Sequence, residues 1–191
     1  MRASPDAGIQ PHPGVRLRGA LVRDVLLAGG TVAIADMTFA TVVWVGVFQR
    51  ATVLQIFQSV ATGVLGRQAF QGGWVTAALG LLLHTAVALG WTLVFLAAKA
   101  RWSRLRRWLC DARTALIVGL VYGALVWLAM DFVVLPLSRA RVTPPGSAWF
   151  WIQLAGHPVV VGVPIALLVG RAQAGGAAVP SARASSARPS G

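Results

Sequence analysis

The sequence predicts an all-α integral membrane protein, a four-helix bundle with a short amphipathic helix between the first and second spans. Three observations carry that expectation. Of the 191 residues, 57% are hydrophobic and only 12% charged, at a mean hydropathy of +0.71, whereas soluble domains carry roughly a quarter charged residues. The apolar residues form four runs, each near the ~20 residues needed to cross a bilayer. The charges gather between those runs, with 17 Lys+Arg against 5 Asp+Glu.

The first run, 25–48, is too long and too polar in its flanks for a cleaved secretory leader, so it reads as a retained helix. The second covers 74–98, the third 114–135 and the fourth 149–170. In the fourth, Pro158 and Pro164 remove backbone donors and free the carbonyls of Leu154 and Val160, which predicts a kink. Before the first span, 1–22 reads as a flexible basic segment. After the fourth, 172–191 is Ala/Ser/Gly/Pro-rich without an apolar period and reads as a disordered tail.

Orientation follows from the distribution of basic residues. The N-terminal segment, the 99–113 loop and the C-terminal tail hold thirteen, while the loops around Arg50, Arg67, Arg139 and Arg141 hold four. Both termini are therefore expected in the cytoplasm of a bacterial inner-membrane protein, with the basic segments against anionic lipid. Nucleic acid is excluded as a partner, since basic readers display their charge on a soluble fold. The single cysteine, Cys110, excludes an intramolecular disulfide, a CxxC redox pair and a thiolate metal cage.

The 49–73 loop carries Val53, Ile56, Phe57, Val60 and Val64 at helical spacing, with Gln55, Gln58, Ser59 and Thr62 mostly on another face. This predicts an amphipathic lid helix over about 52–65 that lies on the membrane or caps the bundle by its apolar stripe. Lipid does not press apolar helices together, so span contacts rely on small residues and polar bridges. The stripes are Gly29, Ala33, Asp36 and Ala40; Ala77, Gly80, His84 and Ala88; and Gly119, Gly123, Trp127 and Asp131. Gln153 and His157 stand one turn apart on the fourth span. The G-x-x-x-G face of the third span is a candidate homodimer contact, and a larger membrane complex is an alternative.

Asp36, His84, Asp131 and His157 fall one per span, three of them on small-residue faces, which points them at each other. An intramembrane carboxylate costs about 2.5–3.5 kcal/mol on insertion scales, so a partner or water must offset it. Three readings follow. The structural one, in which Asp–His contacts lock the bundle for an assembly role, stands first. A proton- or solute-handling site stands second, because Asp and His are the usual material of relays. A metal centre stands third, since no two ligands share a tight spacing. No G-x-S-x-G, H-E-x-x-H or paired glutamate signals hydrolytic chemistry, and no cofactor motif is present, so the sequence leans away from an enzyme.

The stretches "LQIFQSVATGVLGRQAFQGG", "AALGLLLHTAVA" and "VYGALVWLAMDFVVLPLS" resemble a family of bacterial four-helix integral membrane proteins of unassigned activity. The resemblance spans about 29–171 and is most specific in the lid and in "VVLPLS". It implies the four-span fold and makes Asp36, Gln58, Gly63, Gly66, His84, Pro136 and Ser138 family positions. Asp131 departs from the family's Asn, which implies that a charge there is not required. The resemblance supplies fold and topology and no activity.

Overall fold

The computed structural model describes residues 13–177, with side chains over 18–171, and every regular element among them is helical. Four helices are long and apolar enough to cross a membrane: Arg18–Val47, Gly73–Arg101, Ala112–Leu137 and Ala148–Arg171. The chain is a multi-pass membrane protein. Large apolar side chains such as Ile34, Leu82, Leu125 and Val159 are exposed around the bundle, as on a surface that meets lipid rather than water.

Span 1 is α1 (Pro13–Thr41) followed by a π-helical turn, Val42–Val47. The lid α2 (Val53–Leu65) precedes a 3₁₀ segment, Gly66–Gln71. Span 2 is α3 (Gly73–Arg101), and a short α4 (Ser103–Trp108) lies in the basic loop. Span 3 runs through α5 (Ala112–Ala129), a π segment Met130–Val134 and α6 (Leu135–Leu137). Span 4 runs through α7 (Ala148–His157), a π segment Pro158–Gly162 and α8 (Val163–Ala177). The kink expected at Pro158 thus takes the form of a widened turn: the proline has no N–H to give, and a π segment absorbs the break.

The expected flexible segment 1–22 is helical from Pro13, and the expected tail is helical to Ala177. Proline is pre-organised for a helix's first turn, and extending an existing helix avoids a new nucleation step. The rest of both expectations lies outside the described residues.

Helix ends are closed by local chemistry. Asp111 caps α5 through the Thr114 amide at 2.9 Å, and Ser147 caps α7 through the Phe150 amide at 3.2 Å. Thr85 and Thr92 return their hydroxyls to carbonyls one turn back, so neither is left unpaired in the apolar layer.

Span 1 packs against spans 2 and 4, and span 4 packs against span 3. The small-residue stripes set these contacts. A Cβ on Gly29 would meet the Leu89 side chain at 2.7 Å, and one on Gly119 would meet Val163 Cα at 2.7 Å. One on Gly123 would meet Pro158 Cα at 2.5 Å. The Gly119/Gly123 face is therefore filled by span 4 of the same chain and is not open to a second copy; the sequence identifies a close-packing face but not what covers it. Toward the basic end, Val32, Ala88, Phe95, Val161, Ile165, Ala166 and Val169 form one apolar core.

The lid packs differently from the expectation. Ile56, Gln58, Ala61 and Thr62 are buried, while Val53 and Val64 remain 46% and 51% exposed. Half of the supposedly polar edge, Gln58 and Thr62, faces the protein because its groups are satisfied there, while Gln55 and Ser59 stay exposed. Gln58 donates from Nε2 to the Gly73 carbonyl at 3.0 Å and to the Thr76 hydroxyl at 3.2 Å. Ala61 and Thr62 are small enough to let the lid backbone cross α3 at Gly80.

Candidate functional site

Asp36, on span 1, lies between two imidazoles. His84 of span 2 brings Nε2 to 3.8 Å from Asp36 Oδ2, and His157 of span 4 brings Nε2 to 3.9 Å from Asp36 Oδ1. All three side chains are largely buried, at 12–19% exposure. These separations exceed a hydrogen bond, so neither pair is closed.

Local packing explains the convergence. Ala33, one turn before Asp36, lets α3 approach closely enough for His84 Nε2 to donate to the Ala33 carbonyl at 3.1 Å. Three residues after Asp36, the Phe39 ring fills the notch at Gly156, where a Cβ would stand 2.4 Å from Phe39 Cζ. That contact seats the neighbouring His157 over Asp36. Phe39 also stacks with Trp149, centroids 6.3 Å apart, which closes the lid end of the span 1–span 4 contact.

Behind His157 the site is incomplete. Its Nδ1 is buried and has no hydrogen-bond partner. Asp131 is 3% exposed and its Oδ1 has no partner; it lies within electrostatic range of His157 and sits in the π segment of span 3. One turn earlier, Trp127 is 2% exposed and its indole Nε1 is also unpartnered, although Phe132 and Phe150 pack edge-on against the ring. The indole was legible only as part of an apolar stripe. Its exceptional feature, a buried donor without an acceptor, is visible only in three dimensions. The same holds for the two π segments beside Asp131 and His157, a kind of irregularity frequent at functional sites.

Each expected site residue can now be placed. Asp36, His84 and His157 form one centre, Asp131 stands behind it, and among the described residues no hydrogen bond ties the Gln153 side chain to it. The lid residues play local roles. Gln55 closes a capping box with Thr52, its carbonyl oxygen accepting from the Thr52 amide at 2.9 Å. Ser59 returns its hydroxyl to the Ile56 carbonyl at 2.7 Å, and Gln58 pins the lid to the start of α3. Gly63 and Ser138 also meet, because the Arg139 amide donates to the Gly63 carbonyl at 3.0 Å and ties the lid's C-terminus to the loop after span 3. Gly66 ends the lid with φ of +62°, a conformation open to glycine at little cost.

Among the described residues, no three His, Cys, Asp or Glu side chains are arranged to hold a metal ion, so the third reading gains no support. The centre's chemistry is set by its acceptors. The Asp36 carboxylate faces both imidazole Nε2 atoms, and His84 Nε2 also meets the Ala33 carbonyl. With its N–H given to Ala33, a neutral His84 has none left for Asp36, so the carboxylate presents an open acceptor to a proton or a donating guest. No family model, curated protein or solved structure matches the chain.

Proposed function

We propose that the protein handles protons, or a small solute that donates hydrogen bonds, at the Asp36–His84–His157 centre, reached from the lid end. The observation that carries this reading is the set of buried polar atoms left open around a carboxylate bracketed by two imidazoles. A purely structural cluster closes its hydrogen bonds, because an unmade buried bond costs about 1–3 kcal/mol. Here Asp131 Oδ1, His157 Nδ1 and Trp127 Nε1 are unpartnered, and both Asp36 contacts fall short of closure. Histidine titrates in the physiological range, so such a centre can change its proton count with modest driving force. The apolar core beneath it favours access from one side over a continuous path across the bilayer.

The lid end faces away from the cytoplasm in this reading, and the membrane is a bacterial inner membrane. The support is the basic residues, thirteen on the side of the termini and four on the other. In intact cells, Pro145→Cys in a cysteine-free background is expected to react with a membrane-impermeant thiol reagent. The exposed native Cys110 should react only after permeabilisation. Labelling of Cys110 from outside would reverse the orientation.

The centre is tested by Asp36→Asn and His84→Gln, which keep size and hydrogen bonding while removing titration. Difference infrared spectroscopy of the purified protein between pH 5 and 8 should show an imidazole signal with an accompanying change in the Asp36 carboxylate bands, lost in each variant while the melting temperature is held. If wild type shows no such signal, or both variants retain it, the cluster is structural glue and the proposal fails.

A further inference from the structure

At the basic end, away from the proton-handling centre, a cleft of about 320 Å³ opens between spans 1 and 4, lined by Arg23, Asp24, Leu27, Leu168 and Arg171. Its chemistry is split by depth. Arg23 and Arg171 stand where spans 1 and 4 leave the apolar layer, while Leu27 and Leu168 lie one turn further in. A third cation backs the mouth: Lys99 reaches across from span 2 to donate to the Val169 carbonyl at 3.1 Å, within electrostatic range of Asp24.

We propose that this cleft is a binding site for one anionic phospholipid, its phosphate between Arg23 and Arg171 and an acyl chain along Leu27 and Leu168. Inside a bilayer a groove at this depth does not stay empty; lipid fills it, and the lining decides which lipid. The Asp24 carboxylate takes up part of the charge by pairing with Arg23 at 3.2 Å. Arg23, Lys99 and Arg171 against Asp24 still leave two positive charges in excess, which a neutral headgroup cannot balance. Asp24 also holds the Arg23 guanidinium at the mouth, leaving its other N–H groups free for phosphate, and guanidinium binds phosphate in a fork that ammonium cannot match. Basic pockets between membrane helices on the cytoplasmic side commonly hold anionic headgroups in this way.

The test uses the full chain in nanodiscs of phosphatidylcholine doped with phosphatidylglycerol, with tightly retained lipid counted by native mass spectrometry. Wild type should retain one phosphatidylglycerol. Arg23→Gln with Arg171→Gln should weaken retention by at least about tenfold, while Arg101→Gln with Arg104→Gln, which removes the same charge elsewhere at that end, should leave it unchanged. Equal losses in both pairs would mean diffuse attraction and overturn the site. Leu27→Trp keeps every charge and fills the cleft at an exposed position, so it should expel the lipid even if the arginine pair proves unstable. Retained lipid in that variant, or displacement by inorganic phosphate alone, would also overturn the proposal.

Discussion

Gly162→Ala is expected to destabilise the bundle by about 2 kcal/mol, measured by unfolding in mixed micelles. A Cβ built at Gly162 lies 1.9 Å from the Gly119 carbonyl oxygen, 2.5 Å from Gly123 N and 2.7 Å from Gly123 Cα. All three are backbone atoms, so no rotamer change relieves the clash and spans 3 and 4 must separate. Overpacking of this kind costs typically ~1–3 kcal/mol and occasionally more, while alanine recovers up to ~1 kcal/mol of helix propensity. The clash falls near the top of that range because the obstacle is main chain, and the recovered propensity brings the net to about 2 kcal/mol. Gly90→Ala is the control: nothing lies within 4 Å of its Cβ position, so it should be neutral or slightly stabilising. Because Gly119, Gly123 and Gly162 share one contact, alanine at two of them should cost less than the two single losses added. Equal stability of Gly162→Ala and wild type would mean that spans 3 and 4 do not meet at these glycines.

The spans were legible because lipid demands long apolar runs and leaves few alternatives. The stripe through Gly29, Ala33 and Asp36 was legible for a related reason: only small residues bring helix backbones close, so their period marks the facing side. Periodicity does not name the neighbour, which is why the Gly119/Gly123 face suggested a second copy while span 4 of the same chain fills it. The lid's packed face escaped the sequence because Gln58 counts as polar until its Gly73 and Thr76 partners are seen. Of the centre, the four ionisable residues were legible as rare intramembrane groups. Their mutual arrangement was not, since a carboxylate bracketed by two histidines depends on the Phe39–Gly156 notch and on π segments whose sequence cues, Pro136 and Pro158, signal a break in the helix but not its form.

Gly80→Ala should release the lid while leaving the polar centre intact. The Cβ position at Gly80 lies 1.8 Å from the Phe57 carbonyl oxygen, 2.8 Å from Phe57 C and 3.3 Å from Ala61 N, so the lid helix rests its backbone directly on this glycine. Two relaxations compete. Span 2 is held along its length by span 1, whereas the lid is tied by Gln58, by the Arg139–Gly63 bond and by its buried residues Ile56 and Ala61. The lid is the lighter body and should lift, losing the Gln58 bonds to Gly73 and Thr76, each worth about 1 kcal/mol net. Amide hydrogen exchange over 53–65 should then accelerate by about tenfold or more, the consequence of ~1.4 kcal/mol or more of local destabilisation. Gly63→Ala, whose Cβ would meet only Ser138 Cβ at an ordinary 3.9 Å, should leave exchange unchanged. The infrared signal assigned to Asp36 and His84 should survive Gly80→Ala, because His84 lies one turn further along α3 and its contacts to Ala33 and Asp36 belong to span 1. Wild-type exchange in the lid would show that α2 does not rest on Gly80. Loss of the infrared signal together with lid release would instead show that the lid's seat and the Asp–His centre move as one unit.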